Sequence, residues 1–209
     1  MSRLIHLNGP PGIGKSTLAR RYVAEHPGVF NCDIDLLRTL IGGWEDDFLG
    51  AGELIRSAAM AMIGAYLAGG NDVILPQLLQ DPRQVERFGA CARESGAEFV
   101  ERFLMASADS SVARCAARGQ VGPPEPWHDQ VRKIVEDNGG EAALHGCHAG
   151  LEQLLLERPG GRGDRQRQPR HRGDVCPSPG VARLTLVTRA ARDCQPGRWR
   201  AVRTHRGRR

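Results

Sequence analysis

The chain has 209 residues, of which 40% are apolar, 25% charged and only 5% aromatic. That length allows one ordinary domain with an appendage, the composition excludes wholesale disorder, and no run approaches the ~18 apolar residues of a membrane span. The formal net charge of +5 is divided unevenly: residues 1–157 carry 12 Arg and 2 Lys against 21 acidic residues, whereas residues 158–209 carry 15 Arg, no Lys and 3 Asp.

Asymmetry of this kind describes an acidic globular body followed by a basic tail. The six cysteines, Cys32, Cys91, Cys115, Cys147, Cys176 and Cys194, contain no C-x-x-C pair. They fit reduced thiols better than a zinc ribbon or a disulfide framework. The first eight residues run straight into a strand-like segment, so no cleavable leader is expected and a cytoplasmic location is the default.

In chain order, residues 4–7 read as a short strand, followed by a Gly-rich turn and a helix over 16–25. Residues 29–32 are a second short strand ending at Asp33-Ile34-Asp35. From 52 to 67, Leu54, Ile55, Ala58, Ala59, Met62, Ile63 and Tyr66 recur at helical spacing until Gly69-Gly70. That is the signature of an amphipathic helix. Residues 72–77 read as a buried strand, 82–95 as a helix with Pro82 in its first turn, and 98–105 as a fourth strand. A helix over 109–118 with Asp109 as its cap precedes a loop holding Pro123, Pro124 and Pro126, and helices over 127–138 and 141–157 close the body. Strands separated by helices predict a parallel sheet covered on both faces, a three-layer α/β/α domain. The division expected is therefore a body over 1–157 and a tail over 158–209.

The strongest signal lies between the first strand and the first helix. Gly9-Pro10-Pro11-Gly12-Ile13-Gly14-Lys15-Ser16 matches G-x-x-x-x-G-K-[ST] without a gap, and Thr17 follows. Glycines at these places let backbone N–H groups converge on phosphate oxygens, and the helix N-terminus adds positive potential. Lys15 is expected to reach the β- and γ-phosphates of ATP, Ser16 to ligate Mg²⁺, and Thr17 to bond the α-phosphate.

Weaker signals surround it. Asp33 and Asp35 follow the second strand, and ligands of open α/β sheets lie beyond the carboxyl ends of strands. If the strand continues, alternation puts both carboxylates on one side. Asp33 could then hold Mg²⁺ through water, and Asp35 could orient an acceptor hydroxyl for in-line attack. The bland alternative is a pair of turn and capping aspartates. Arg114 and Arg118, four apart, would share a helix face and neutralise charge on the transferred phosphoryl, unless they are a solvated basic face. Arg38 and Arg56 are candidates for an anionic acceptor, although Arg56 reads first as a plain surface residue. The third strand ends in Pro76-Gln77 with no acidic residue, which argues against a motor-type ATPase and leaves Gln77 as a substrate or metal-water contact. His145-Gly146-Cys147-His148 lacks the spread of partners that a closed metal site requires.

GPPGIGKSTLARR, the D-I-D-x-x-R after the second strand, the V-I-L-P-Q strand and the R-x-x-x-R before a Pro-rich loop resemble bacterial P-loop kinases, also grouped as AAA-domain ATPases. The likeness covers residues 1 to about 157 and points to the nucleoside/shikimate kinase-like branch, with zeta toxins, chloramphenicol phosphotransferase and gluconate kinase as more distant relatives. The resemblance implies ATP- and Mg²⁺-dependent phosphorylation of a small-molecule hydroxyl, with Asp35 as the acceptor-orienting acid and Arg118 as a lid arginine. It also implies a fifth strand and an adenine-contacting loop, in the region where the Arg-rich stretch after Arg158 stands.

That stretch has the composition of a disordered segment or of an out-of-frame translation of a GC-rich gene, and only residues 181–187 could form a strand. The alternative function is a P-loop ATPase or nucleotide-binding regulator that contacts nucleic acid through this tail. No membrane contact is expected.

Overall fold

The computed structural model describes residues 1–117 and 125–157, together with the backbone of 185–188. Its strands are β1 (Arg3–Asn8), β2 (Phe30–Asn31), β3 (Val73–Pro76), β4 (Glu98–Met105) and β5 (Thr185–Thr188). They form one sheet in the order β2-β3-β1-β4-β5, parallel except where β5 pairs antiparallel with β4. β1 is central, with Leu4 opposite Val73 of β3 on one side and Phe99 of β4 on the other. The expected parallel α/β sheet is therefore present. β5 fills the edge beside β4, where the resemblance implied a fifth strand.

Helix α1 (Lys15–Glu25) covers one face, packing Ala19 against Leu7, Ile74 and Leu104. On the other face, α3 (Phe48–Ala68) and α4 (Pro82–Glu94) bring Ile55, Ala59, Ile63, Leu67, Val85 and Phe88 onto Leu4, Val73 and Leu75. Apolar burial of this kind is the main favourable term in folding, at roughly 25 cal/mol per Å². Leu151 and Leu154 of α7 (Glu141–Glu157) pack on Phe103 and Met105 of β4. The remaining helices are α2 (Ile34–Arg38), α5 (Ala108–Ala116) and α6 (His128–Asp137).

Several boundaries differ from the reading of the sequence, each for a local reason. The second strand ends at Asn31, because Asp33 caps a short helix by accepting a hydrogen bond from Asp35 N. The carboxylates of Asp33 and Asp35 therefore do not alternate along a strand. α3 begins at Phe48, four residues before its expected start, with the Asp47 side chain accepting from Gly50 N. The cap of α5 is Ser107, whose side chain accepts from Ser110 N, and Asp109 lies in the first helical turn.

By length and composition α3 is the one described helix able to cross a membrane, which the sequence reading did not anticipate; in this fold it lays its buried residues on the sheet. Apart from the β5 backbone, the Arg-rich tail and the prolines Pro123 and Pro124 lie outside the described residues.

Gly9 leaves β1 with a Cβ position only 2.4 Å from the Leu104 carbonyl oxygen of β4. Leu104 directly follows Phe103, the last β4 partner of β1, and is paired with Leu186 of β5, so a methyl group must push the end of β1 away from β4. Gly9→Ala is expected to cost about 1–3 kcal/mol in urea unfolding, the range for overpacking a tight site. An unchanged midpoint would show that this approach is loose.

Candidate functional site

The turn from β1 into α1 wraps around the side chain of its own lysine. Lys15 is 9% exposed, and its ammonium Nζ donates to the Gly9 carbonyl at 2.8 Å and the Pro10 carbonyl at 3.0 Å. Ile13 is buried and anchors the loop from beneath, against the α1 face of the sheet. Gly12, at φ +80°, lies against the end of α5, where its Cβ position would be 2.7 Å from Cys115 N and 3.1 Å from the Arg114 carbonyl carbon. A side chain there would meet both backbone strain and a clash. Pro10 is buried, Pro11, Gly14 and Ser16 are half-buried, and Thr17 is exposed on the first turn of α1. All nine residues from Gly9 to Thr17 thus form one loop and helix start, and amides around an α-helix N-terminus are a ready anion site.

Asp33 stands beside this turn and is 1% exposed. Its Oδ1 accepts from Asp35 N at 3.1 Å, while its Oδ2 is buried without a well-formed hydrogen bond. Burial first, and then the charge of Asp35, push its carboxyl above the ordinary aspartate range. The Ser16 hydroxyl and the N–H groups of Asp35 and Leu36 pull it back down. The capping role and the metal role set against each other in the sequence thus fall on different oxygens.

An unspent carboxylate oxygen next to a serine hydroxyl fits Mg²⁺, which takes one or two protein oxygens and fills its remaining positions with phosphate and water. Among the described residues there is no group of three or more His, Cys, Asp or Glu that could cage a metal. His148 instead bonds the Ala106 carbonyl through Nε2 at 2.7 Å, and Cys147 packs against β4.

The second cluster lies along α2 and α3, next to Asp33 through Asp35. Asp35 is half-buried and meets the Arg38 guanidinium at 3.3 Å. Arg38 is 5% exposed; its guanidinium carbon lies 3.7 Å from the centre of the Phe48 ring, and its Nε has no hydrogen-bond partner. The opposite side of that guanidinium rests on Gly52, whose Cβ position would be 2.7 Å from Arg38 Nη2. Arg56 pairs with Glu53 on the same helix and also keeps a buried, unbonded Nε. Burial and the neighbouring Arg56 charge lower the Arg38 pKa, against the opposing pull of Asp35 and Glu53.

The nearness of the buried Arg38 and the largely covered Arg56 was underrated from sequence, because i-to-i+18 proximity leaves no periodic trace. Gln77 follows β3 with its Oε1 buried and unbonded. Arg114 is half-buried, with its backbone against Gly12. Arg118 lies outside the described residues, and α5 ends at Ala116, so their shared helix face is not part of the described structure. Among the described residues, Arg20 of α1 pairs with Glu125, a contact that the sequence did not suggest.

Comparison with known proteins agrees with this architecture. No curated protein matches the chain. Among solved structures, a chain of the Pnkp1/Rnl/Hen1 RNA repair complex superposes with a TM-score of 0.54 at 19% identity, covering 83% of this chain and 50% of that one. A tunicamycin resistance protein from Deinococcus radiodurans gives 0.40 at 18% identity, covering 72% of this chain and 96% of that one. A gluconokinase from Sinorhizobium meliloti 1021 gives 0.41 at 20% identity, with 72% and 91% covered. This chain spans half the length of the repair-complex chain that it matches. The AAA domain family matches residues 4–137, from the first strand through α6. With the phosphate loop, the parallel sheet and most of the body inside that match, the chain belongs to the AAA domain family.

Proposed function

We propose that this protein transfers the terminal phosphoryl group of ATP to a hydroxyl of a small molecule that also carries an anionic group. The observation that carries the reading is the meeting of two unlike clusters at the carboxyl ends of β1 and β2. One is the phosphate loop with Lys15, Ser16 and the unspent Asp33 oxygen. The other is Asp35 with the buried Arg38 and Arg56.

In this reading Lys15 turns from its own loop carbonyls to the phosphates, Ser16 and Asp33 hold Mg²⁺, and loop amides cradle the phosphate oxygens. Bound Mg²⁺ would supply charge neutralisation on the phosphates. Asp35 accepts a hydrogen bond from the attacking hydroxyl and orients it in line. Arg38 and Arg56 offer N–H groups to the acceptor's anion, and Gln77 Oε1 is available to a further acceptor hydroxyl. Arg114, whose backbone lies beside Gly12, is the candidate to neutralise charge on the transferred group, and Arg118, outside the described residues, is kept as a second one.

The test is an ATP-consumption screen against phosphorylated sugars, nucleotides, hydroxy acids, aminoglycosides and neutral sugars. RNA and DNA oligonucleotides belong in the screen because the repair-complex chain shares this fold. Acidic acceptors should stimulate ADP formation and neutral ones should not. With an acceptor in hand, Asp35→Asn is expected to lower kcat about 10²–10⁴-fold with ATP affinity spared. Arg38→Gln should act mainly on the acceptor KM. Loss of ATP binding in Asp35→Asn would make that carboxylate a metal or structural group instead. ADP formation indifferent to every acceptor would favour the ATPase reading.

A further inference from the structure

The β1–β3 ladder ends at Leu7 opposite Pro76, yet two of the next three residues, Gln77 and Leu79, stay tied to β1. Side chains do the tying. His6, fully buried, donates from Nε2 to the Gln77 carbonyl at 2.9 Å. Asn8, also fully buried, donates from Nδ2 to the Leu79 carbonyl at 2.8 Å and accepts at Oδ1 from Leu79 N at 3.1 Å. The same Oδ1 accepts from Gly9 N at 2.9 Å. One amide group therefore engages both backbone groups of Leu79 and the first N–H of the phosphate loop. Gln77, whose side-chain oxygen is buried and unbonded, is thus held at its own carbonyl by His6 and two residues on, at Leu79, by Asn8. Downstream, Gln80 bonds the Cys147 carbonyl of α7 at 3.2 Å, so the segment is anchored at both ends.

We propose that Asn8, seconded by His6, is a positioning residue that couples the phosphate loop to segment 77–79 on the acceptor side. Filling the loop with phosphate fixes Gly9, Gly9 fixes the Asn8 amide, and the amide fixes Leu79 and with it Gln77. The inference rests on the proposed function only in treating the loop as the nucleotide site and Gln77 as an acceptor contact. A buried side-chain amide with its hydrogen bonds made is costly to disturb, which suits it to transmit position between two backbone segments.

The experiment compares hydrogen exchange of residues 9–17 and 77–81 in the full chain, with and without saturating Mg²⁺–ADP, in wild type and Asn8→Asp. The aspartate keeps both acceptor contacts but sets an oxygen against the Leu79 carbonyl. In wild type, Mg²⁺–ADP should slow exchange in both segments. In Asn8→Asp the slowing at 9–17 should persist, the slowing at 77–81 should be lost, and ADP affinity should stay within about threefold. The kcat for ATP turnover should fall about tenfold with KM for ATP little changed, since a small misplacement is costly in rate. Where Asn8→Asp does not fold, Asn8→Ser serves: its hydroxyl can accept from Gly9 N but is too short to hold Leu79.

If wild type does not bind Mg²⁺–ADP, the nucleotide reading fails. If it binds and 77–81 responds equally in wild type and variant, or in neither, the coupling is overturned while the nucleotide reading stands. Loss of ADP binding in the variant would make Asn8 a structural part of the loop and also overturn the coupling.

Discussion

Lys15→Ala is expected to reduce ATP turnover by about 10³-fold, the upper range for removing one charged group that stabilises a developing anion. The reasoning starts from the lysine's present partners. Its ammonium is held by the Gly9 and Pro10 carbonyls, so the substitution removes two charge-assisted hydrogen bonds from the resting loop as well as the cation from the phosphates. Such bonds contribute about 1.5–3 kcal/mol, and a domain of this size loses about 2–4 °C in Tm per kcal/mol. Activity and stability should therefore fall together. Lys15→Met, which fills the same channel without charge, should recover part of the stability and none of the turnover. Single-turnover ADP release and thermal melting of the three proteins make the check. Turnover within tenfold of wild type in Lys15→Ala would remove the loop from the reaction.

Asp33→Asn should separate the same two properties. The carboxyl is buried and its pKa is raised, by burial above all and then by Asp35. The metal-free folded protein consequently holds this proton more tightly than the unfolded chain. That contribution to stability is present at low pH and is lost as pH rises through the folded-state value. At neutral pH an amide escapes the cost of a buried charge, and Asn caps a helix as well as Asp does. The expected Tm of Asp33→Asn without nucleotide is equal to or above that of wild type. Mg²⁺-stimulated turnover should fall about 10²-fold, with a higher Mg²⁺ concentration needed for half-maximal rate. A melting temperature several degrees lower, with normal Mg²⁺ dependence, would assign Asp33 to capping alone. Stability given up for a charge at a working site is a common exchange.

Elements with a strong period or a firm stop were legible in the sequence. β4 occupies residues 98–105 as expected, because Gly96 ends the preceding helix and an apolar strand follows at once. α7 matches its expected bounds, with Glu141 in its first turn. The phosphate loop was legible because its chemistry is written in contiguous residues.

What escaped depends on long-range company. α2 is five residues long, too short for periodicity to announce it, and its existence turns on the Asp33 cap. Asn8 looked like the polar end of a strand, since nothing in the sequence ties it to Leu79. Arg56 looked like a surface residue, yet its side chain is only 12% exposed. The expected basic face over Arg114 and Arg118 falls partly outside the described residues, since α5 is described to Ala116 and Arg118 is not.

The absence of a side chain at Gly52 has a consequence for how such a domain could change its habits. The Arg38 guanidinium lies flat between the Phe48 ring and the bare backbone of α3, so its angle is dictated by a residue that would touch neither nucleotide nor acceptor. Adding one carbon at position 52 would tilt the cation without altering any group in the phosphate loop. Under the proposed function, donor and acceptor recognition would thus be separable in inheritance: one substitution behind the cation would redirect what is modified while leaving the energy source as it was.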